Sequence, residues 1–263
     1  MDVITRNFFR LLRSGALNEY EPLEPMSAFK WGRLGQMVHA QHVEGPALKG
    51  IRNHQYDEMM NIPKQLISEI VETPATPSTP QLSNRFLNHR LKKIEAAERH
   101  AIDTNVGSLD ILKIIVENVS TMLNKGMMLS GIIQLGSYLR IKGDKVDFVK
   151  LEKWLSKLHI RRMAQLQGSM LMAVFNFEQD EIPFVQREEP AAYNLVIRSV
   201  LHTANDTAEE WHFRQSRSGF VRNNSTLTRR NLRRSLRYVV YAPLETISNY
   251  FHNFARSLQE IEE

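Results

Sequence analysis

Apolar residues recur at intervals of three and four along most of this chain, and no strictly alternating run is long enough to demand a strand. A period of about 3.6 gathers such residues on one side of a helix, whereas a half-buried strand needs every second residue apolar. Ile4, Phe8, Leu11 and Leu12 open the pattern, with Gly15 as the expected stop. Ser27 is placed to cap a second helix bearing Trp31, Leu34, Met37 and Val38, which a Gly45-Pro46 break should end. Residues 47–60 are ambiguous, and Asn61-Ile62-Pro63 then signals a start continued by Leu66, Ile67 and Ile70.

Gln81 to His100 reads as an amphipathic helix with Phe86, Leu87, Leu91 and Ile94 on one face. Ser108 is expected to cap the next, whose stripe runs from Leu109 through Leu112, Ile115, Val119 and Leu123 to a stop at Asn124-Lys125-Gly126. Leu129 to Leu139 reads as helix, although its isoleucines also fit a short strand. From Asp147, a good cap, the stripe Leu151, Trp154, Leu155, Leu158, Met163, Leu166, Met170 and Val174 makes one long helix or two with a break near His159. Periodicity restarts after Pro190 with Tyr193, Val196, Ile197 and Val200. It resumes at Leu232, Leu236, Val239 and Val240, which should point toward the core, and Pro243 interrupts or reinitiates it. Ile247, Tyr250, Phe251, Phe254 and Leu258 close the chain. The expected fold class is all-α, a multi-helix bundle-like body.

Three prolines between Thr73 and Pro80 deny backbone donors and favour an extended spacer. Residues 73–80 are therefore expected to be a linker or long loop between an N-terminal helical region, 1–72, and a main helical domain, 81–263. The two could also form one compact domain. The longest apolar stretches, around Met127 to Leu135 and Met170 to Phe177, are interrupted well short of the roughly 18 residues a membrane span needs. With no signal-peptide pattern at Met1 to Arg6 and no cysteine, the expectation is a cytoplasmic protein without disulfides, thiolate chemistry or membrane contact.

Chemistry-bearing motifs are sparse. None of the nine histidines forms an HExxH pattern or its inverse; the closest pair, His39 and His42, is followed by Glu44 alone. G-x-S-x-G, the phosphate loop and the dinucleotide fingerprint are absent. Two-metal nucleotidyl transfer needs a Gly-Ser turn and aspartates at alternating strand positions. Gly107-Ser108-Leu109-Asp110 has one carboxylate at a helix start. Gly136-Ser137 is followed by Asp144 and Asp147, three apart in a turn, where Asp147 is better explained as a cap. No catalytic residue, metal or cofactor is expected.

The net charge of +5 is unevenly placed, because Trp211 to Leu244 holds eight arginines and no Asp, Glu or Lys. Arg229, Arg230, Arg233, Arg234 and Arg237 repeat at helical spacing and would form a continuous cationic face for an anion or a partner. Trp211, Phe213, Phe220 and Tyr238 could stack beside it. Three uses remain open, in descending order: a solvated surface paired with carboxylates such as Glu188, Glu189, Glu209, Glu210, Glu260, Glu262 and Glu263, contact with a protein, and binding of phosphate or nucleic acid.

The opening Phe8-Phe9-Arg10-Leu11-Leu12-Arg13-Ser14-Gly15, then Trp31 to Val43 and Ala47-Leu48-Lys49-Gly50-Ile51, resembles the N-terminal helices of the uncharacterised nucleotidyltransferase-like proteins of bacteria. Lys125-Gly126 through Leu129, Tyr138-Leu139, Val146-Asp147-Phe148, Leu151-Glu152, Leu155, Leu158, Arg162 and Glu181-Ile182-Pro183-Phe184 is similar to the helical region following that family's catalytic domain. In the family a mixed α/β domain with a Gly-Ser turn and an Asp-x-Asp pair lies between these regions. Here the helix ending near His100 meets the one beginning at Leu109. The resemblance, over about half the chain, implies a bacterial protein with a degenerate transferase scaffold, no catalytic core and no transferable catalytic residue. The resulting expectation is a non-enzymatic scaffold or partner-binding protein, through a protein partner or self-association, with nucleic acid as the less favoured alternative.

Overall fold

In a computed structural model, residues 1–57, 61–70, 79–101, 105–201, 214–215, 221–222, 232 and 235–262 are described. Their architecture is all-helical and bundle-like, apart from a two-residue antiparallel pairing of β1 (Arg214–Gln215) with β2 (Val221–Arg222). Of the spacer, residues 73–78 lie outside the described part.

Helix α1 (Val3–Leu17) starts at Asp2, whose side chain accepts from the Thr5 amide at 2.8 Å. It does not stop at Gly15. Asn18, in the left-handed conformation at φ 57°, ends it instead. Gly15 serves packing: a Cβ there would lie 1.9 Å from the Pro46 carbonyl oxygen, and one at Gly50 would lie 2.2 Å from that of Leu11. The two glycines let the backbone of α1 touch that of α3 (Glu44–Asn53). Gly45-Pro46, expected as a break, therefore sits in the first turn of α3. Proline is tolerated there because the first amides of a helix have no intrahelical acceptor. Between these two helices, α2 (Ala28–Ala40) is capped by Ser27 as expected.

Pro63 precedes the short α4 (Lys64–Glu69), and Asn84 caps α5 (Arg85–Arg99) by accepting from Phe86 and Leu87. Leu87, Leu91 and Ile94 are buried, whereas Phe86 is exposed. Helix α6 (Val106–Asn124) is capped by Asn105, not by Ser108. The Asn105 side chain accepts from the Ser108 amide, which frees the Ser108 hydroxyl to accept from the Asp147 amide at 2.7 Å. Helix α7 (Leu129–Lys142) leads through a 3₁₀ turn (Gly143–Lys145) to α8 (Phe148–Lys157), where Asp147 is the cap. His159, at φ 54°, separates α8 from α9 (Arg161–Phe175). Helix α10 (Ala192–Leu201) follows an irregular stretch, and α11 (Pro243–Glu262) begins at its proline.

The core centres on α6, whose Ile111, Leu112, Ile115, Val116 and Val119 are fully buried around most of its circumference. The Asn118 amide of α6 donates to the Gly131 carbonyl of α7 and to Gln167 Oε1 of α9, both at 3.0 Å, and Gln167 donates to the Ile115 carbonyl at 3.2 Å. One apolar cluster continues from there into the N-terminal helices. Phe9 of α1 meets Phe175 of α9 edge-to-face at 5.9 Å, and Gln41 bridges the Ser199 carbonyl and the Leu129 amide. Among the described residues no helix is long and apolar enough to cross a membrane.

Candidate functional site

Of the cationic face inferred from sequence, Arg229, Arg230, Arg233 and Arg234 lie outside the described residues, as do Trp211, Phe213 and Phe220. Arg237 is half-buried on a helical turn at 235–238. The same turn corrects one expectation. Leu232, Leu236 and Val240 are exposed, and Tyr238 and Ala242 occupy the inward positions, fully buried. Glu189, a suggested partner of the arginine segment, is held instead by Arg162 in a two-pronged pair at 2.8 and 3.2 Å. Arg162 also covers the Tyr241 ring at 5.1 Å and donates to the Val240 carbonyl at 3.4 Å, so the approach to α11 is fastened to α9.

The fragments that resemble catalytic chemistry are built into packing. His39 faces Glu44 at 3.2 Å across the α2–α3 turn, and His42 sits in that turn at φ 52°, not one helical turn from His39 on a common face. Among the described residues no group of three or more His, Asp or Glu is arranged to hold a metal ion. Asp110 receives the Tyr138 hydroxyl at 3.5 Å, Asp147 is occupied as a cap at 2.9 Å from the Lys150 amide, and Asp144 lies in the 3₁₀ turn. Gly136 packs inside α7 against Leu171 and Phe177, and Ser137 donates to the Ala16 carbonyl.

Two further sites lie among the N-terminal helices. Buried His54 approaches Asp57 at 2.7 Å through Nδ1, Tyr20 donates to the same carboxylate at 2.6 Å, and the Tyr20 and His54 rings stack at 4.8 Å. The Tyr20 hydrogen bond, with help from His54, holds the Asp57 carboxyl below its ordinary value. Among the described residues His54 Nε2 is buried without a hydrogen-bond partner. An open groove of about 300 Å³ runs between α2 and α4, lined among others by Phe29, Arg33, Gln36, His39, Leu66 and Glu69.

A lattice of ion pairs covers one side of the N-terminal helix. Arg6 grips Glu24 at 2.7 and 2.8 Å, Arg10 reaches Glu24 at 2.9 Å and Glu21 at 3.3 Å, and Arg13 pairs with Glu21 at 2.7 Å. Arg140 of α7 joins through Glu19 and through Glu181 at 3.1 Å, its guanidinium 4.3 Å from the Phe177 ring centre. The arginine hydrogen bond from Arg6 lowers the Glu24 carboxyl to about 2. The spacing of Arg6, Arg10 and Arg13 at four and three, followed by Glu19, Glu21 and Glu24, was the available sequence signal for this face. Its pairs bind α1 to α7 through the Glu19–Glu24 stretch, while Arg13 Nε stays buried without a hydrogen-bond partner among the described residues.

Over its described side chains, up to Phe254, the last helix is packed with its polarity reversed. Glu245, Thr246 and Asn249 are turned to the body, 1%, 1% and 3% exposed. The Glu245 carboxylate accepts from the Ser83 amide and, at 3.1 Å, from the Asn84 amide at the start of α5. Ser83 donates its hydroxyl to Asn249 at 2.8 Å, Asn84 donates to Ser248, and Asn253 donates to Asn124 of α6 at 2.9 Å. Burial pushes the Glu245 carboxyl up from its ordinary value, against the pull of the two amides. The opposite side carries Leu244, Ile247 and Phe251, 45%, 48% and 63% exposed. An amphipathic helix on a protein surface ordinarily buries its apolar stripe. Here the polar stripe is fixed by directional hydrogen bonds and the apolar stripe faces out.

No family model, curated protein or solved structure matches this chain.

Proposed function

We propose that this protein works by contact, as a non-enzymatic cytoplasmic scaffold whose recognition surface is the outward apolar stripe of α11. The observation carrying this reading is the reversed amphipathicity: Glu245 and Asn249 are buried while Ile247 and Phe251 are exposed. Apolar side chains left in water forgo about 25 cal/mol for each Å² they could bury, and contiguous exposed patches mark interaction sites. The fastening of Glu245, Ser83 and Asn249 holds the helix in that orientation, so the stripe is presented rigidly. The likeness to the helical flanks of nucleotidyltransferase-like proteins fits a retained scaffold put to this use.

The test is the native size of tagged protein in extracts of the producing cell. Wild type should migrate above a single chain, and the variant carrying Ile247→Glu and Phe251→Glu should migrate as one chain with unchanged helicity. Wild type migrating as a single chain would count against the reading.

A second reading rests on the eight arginines of the segment Trp211 to Leu244, which itself contains no Asp or Glu. It proposes phosphate or nucleic-acid binding through Arg229, Arg230, Arg233, Arg234 and Arg237, with affinity falling steeply as salt rises. Anisotropy of labelled DNA and RNA at low salt, unchanged on adding protein, rejects it.

A further inference from the structure

Helix α5 carries a surface that neither reading above uses. Its inward side is Leu87, Leu91, Ile94 and Glu98, all buried, and Glu98 is held there by Lys150 at 3.0 Å. At about 100° per residue, that side leaves Arg85, His89, Lys92, Lys93 and Arg99 on the outward arc, and all five are exposed. Among the described residues none of these five side chains has a hydrogen-bond or ion-pair partner. The other acid of the helix, Glu95, is half-buried on its flank. The surface continues onto α8, because Arg90 donates to the Lys157 carbonyl at 3.0 Å and so brings the exposed Lys157 beside α5. A helix face that only solvates the body interleaves both signs of charge; this one carries a single sign.

We infer that the outward face of α5 binds the phosphate backbone of a nucleic-acid duplex without reading its sequence. The inference depends neither on the α11 stripe nor on the arginines between Trp211 and Leu244. Length and charge point to the partner first. Arg85 and Arg99 lie about 21 Å apart along the helix at a rise of about 1.5 Å per residue, with Lys92 and Lys93 between them. A duplex presents a negative charge for about every 1.7 Å of its axis, so each cation of the row meets phosphate at once.

The sparse apolar surface argues against other polyanionic partners. A helix lying on a membrane buries its apolar side in lipid, and a protein interface centres on an apolar, charge-poor core. In α5 the apolar side is already turned into the body, leaving Phe86 at the edge of the arc, 82% exposed. One ring is too little for the run of stacked bases that holds a single strand, which favours a duplex. The two asparagines at the helix start are engaged elsewhere: Asn84 caps α5 and donates to Ser248, and Asn88 accepts from the Leu82 amide at 3.2 Å. Neither amide is offered to a base edge, so the face contacts backbone.

Fluorescence anisotropy with short labelled DNA and RNA duplexes tests the inference. Wild type should bind at low salt, alike for DNA duplexes of unrelated sequence, and the tighter of DNA and RNA identifies the source of the phosphates. Binding of neither duplex overturns the inference. The K92Q/K93Q variant should weaken binding and flatten the slope of log affinity against log salt by about two, since each lost phosphate contact removes about 0.9. A second variant, R85Q/R99Q, should flatten it similarly. Glutamine is a good helix residue and all four positions are exposed, so circular dichroism and thermal melting should match wild type. A slope unchanged in both variants overturns α5 as the site. The R230Q/R233Q/R234Q variant separates this inference from the second reading: a flattened slope confined to it moves duplex binding to the arginine segment and rejects α5. Phosphatidylserine vesicles that sediment wild type but not K92Q/K93Q, without any duplex binding, replace nucleic acid by a membrane surface.

Discussion

Asn118 shows how much one side chain can decide inside this bundle. Its amide satisfies the Gly131 carbonyl and Gln167 Oε1 at once, and a Cβ at Gly131 would lie 1.9 Å from Asn118 Oδ1, so α6 and α7 close down around it. Asn118→Ala strands two acceptors in a low-dielectric interior, and urea unfolding should show a loss of about 1–3 kcal/mol. Adding Gln167→Met to that variant removes one stranded acceptor, so the double loss should fall short of the sum of the singles. Full additivity would mean the two amides do not act as a pair. Residue-level signals in the sequence were unevenly legible. Asp147 and Ser27 cap as their positions suggest, because a cap is a local arrangement. Ser108 was misread for a nonlocal reason: Asn105 took the cap, and Asp147, distant in sequence, took the Ser108 hydroxyl.

At the scale of elements, glycine substitutions separate packing from propensity. Gly50→Ala puts a methyl 2.2 Å from the Leu11 carbonyl oxygen and must spread α1 from α3, an overpacking cost of about 1–3 kcal/mol. Gly32→Ala in α2 meets nothing within 4 Å and should stabilise by about 0.5–1 kcal/mol, because alanine is the better helix residue. Thermal melts of the two variants should move in opposite directions; a shared sign would remove backbone contact as the reason for Gly50. A different contact fixes α11. Glu245→Ala leaves the Ser83 and Asn84 amides without their acceptor, so hydrogen exchange should accelerate around 82–88 and at the start of α11 while α6 is unaffected. Protection unchanged at both places would remove Glu245 as the fastening of α11. Period alone located that final stripe in the sequence but could not orient it. A helical repeat says which residues share a face, and only the Ser83, Asn84 and Asn249 bonds reveal that the polar face is the inner one. The outward turn of Leu232, Leu236 and Val240 was illegible for the same reason, since Tyr238 and Ala242 compete for the inside.

For the whole molecule, the ion-pair lattice makes stability depend on acid in a calculable direction. Glu24 has its folded-state carboxyl lowered from 4.5 to about 2, chiefly by the Arg6 hydrogen bond, and Asp2 and Asp57 are lowered as well. A group with a lowered folded value contributes fully above its unfolded value and loses that contribution as pH falls through the folded one. Glu245 works the other way: its raised value means a contribution present in acid and lost as pH rises through that value. Among the described residues, three depressed carboxyls against one elevated one predict falling stability on acidification between about 4.5 and about 2, the interval set by Glu24. Urea midpoints measured across that interval should drop, and Glu24→Gln should flatten the drop because the uncharged amide does not titrate. Added salt should also shrink it, since Arg6 and Glu24 are only partly shielded from solvent. An acid slope identical in wild type and Glu24→Gln would place the titrating groups elsewhere. The lattice lies on α1, its following loop and α7, whereas the apolar stripe lies on α11, so Glu24→Gln should soften the body in acid while the native size at neutral pH remains as in wild type.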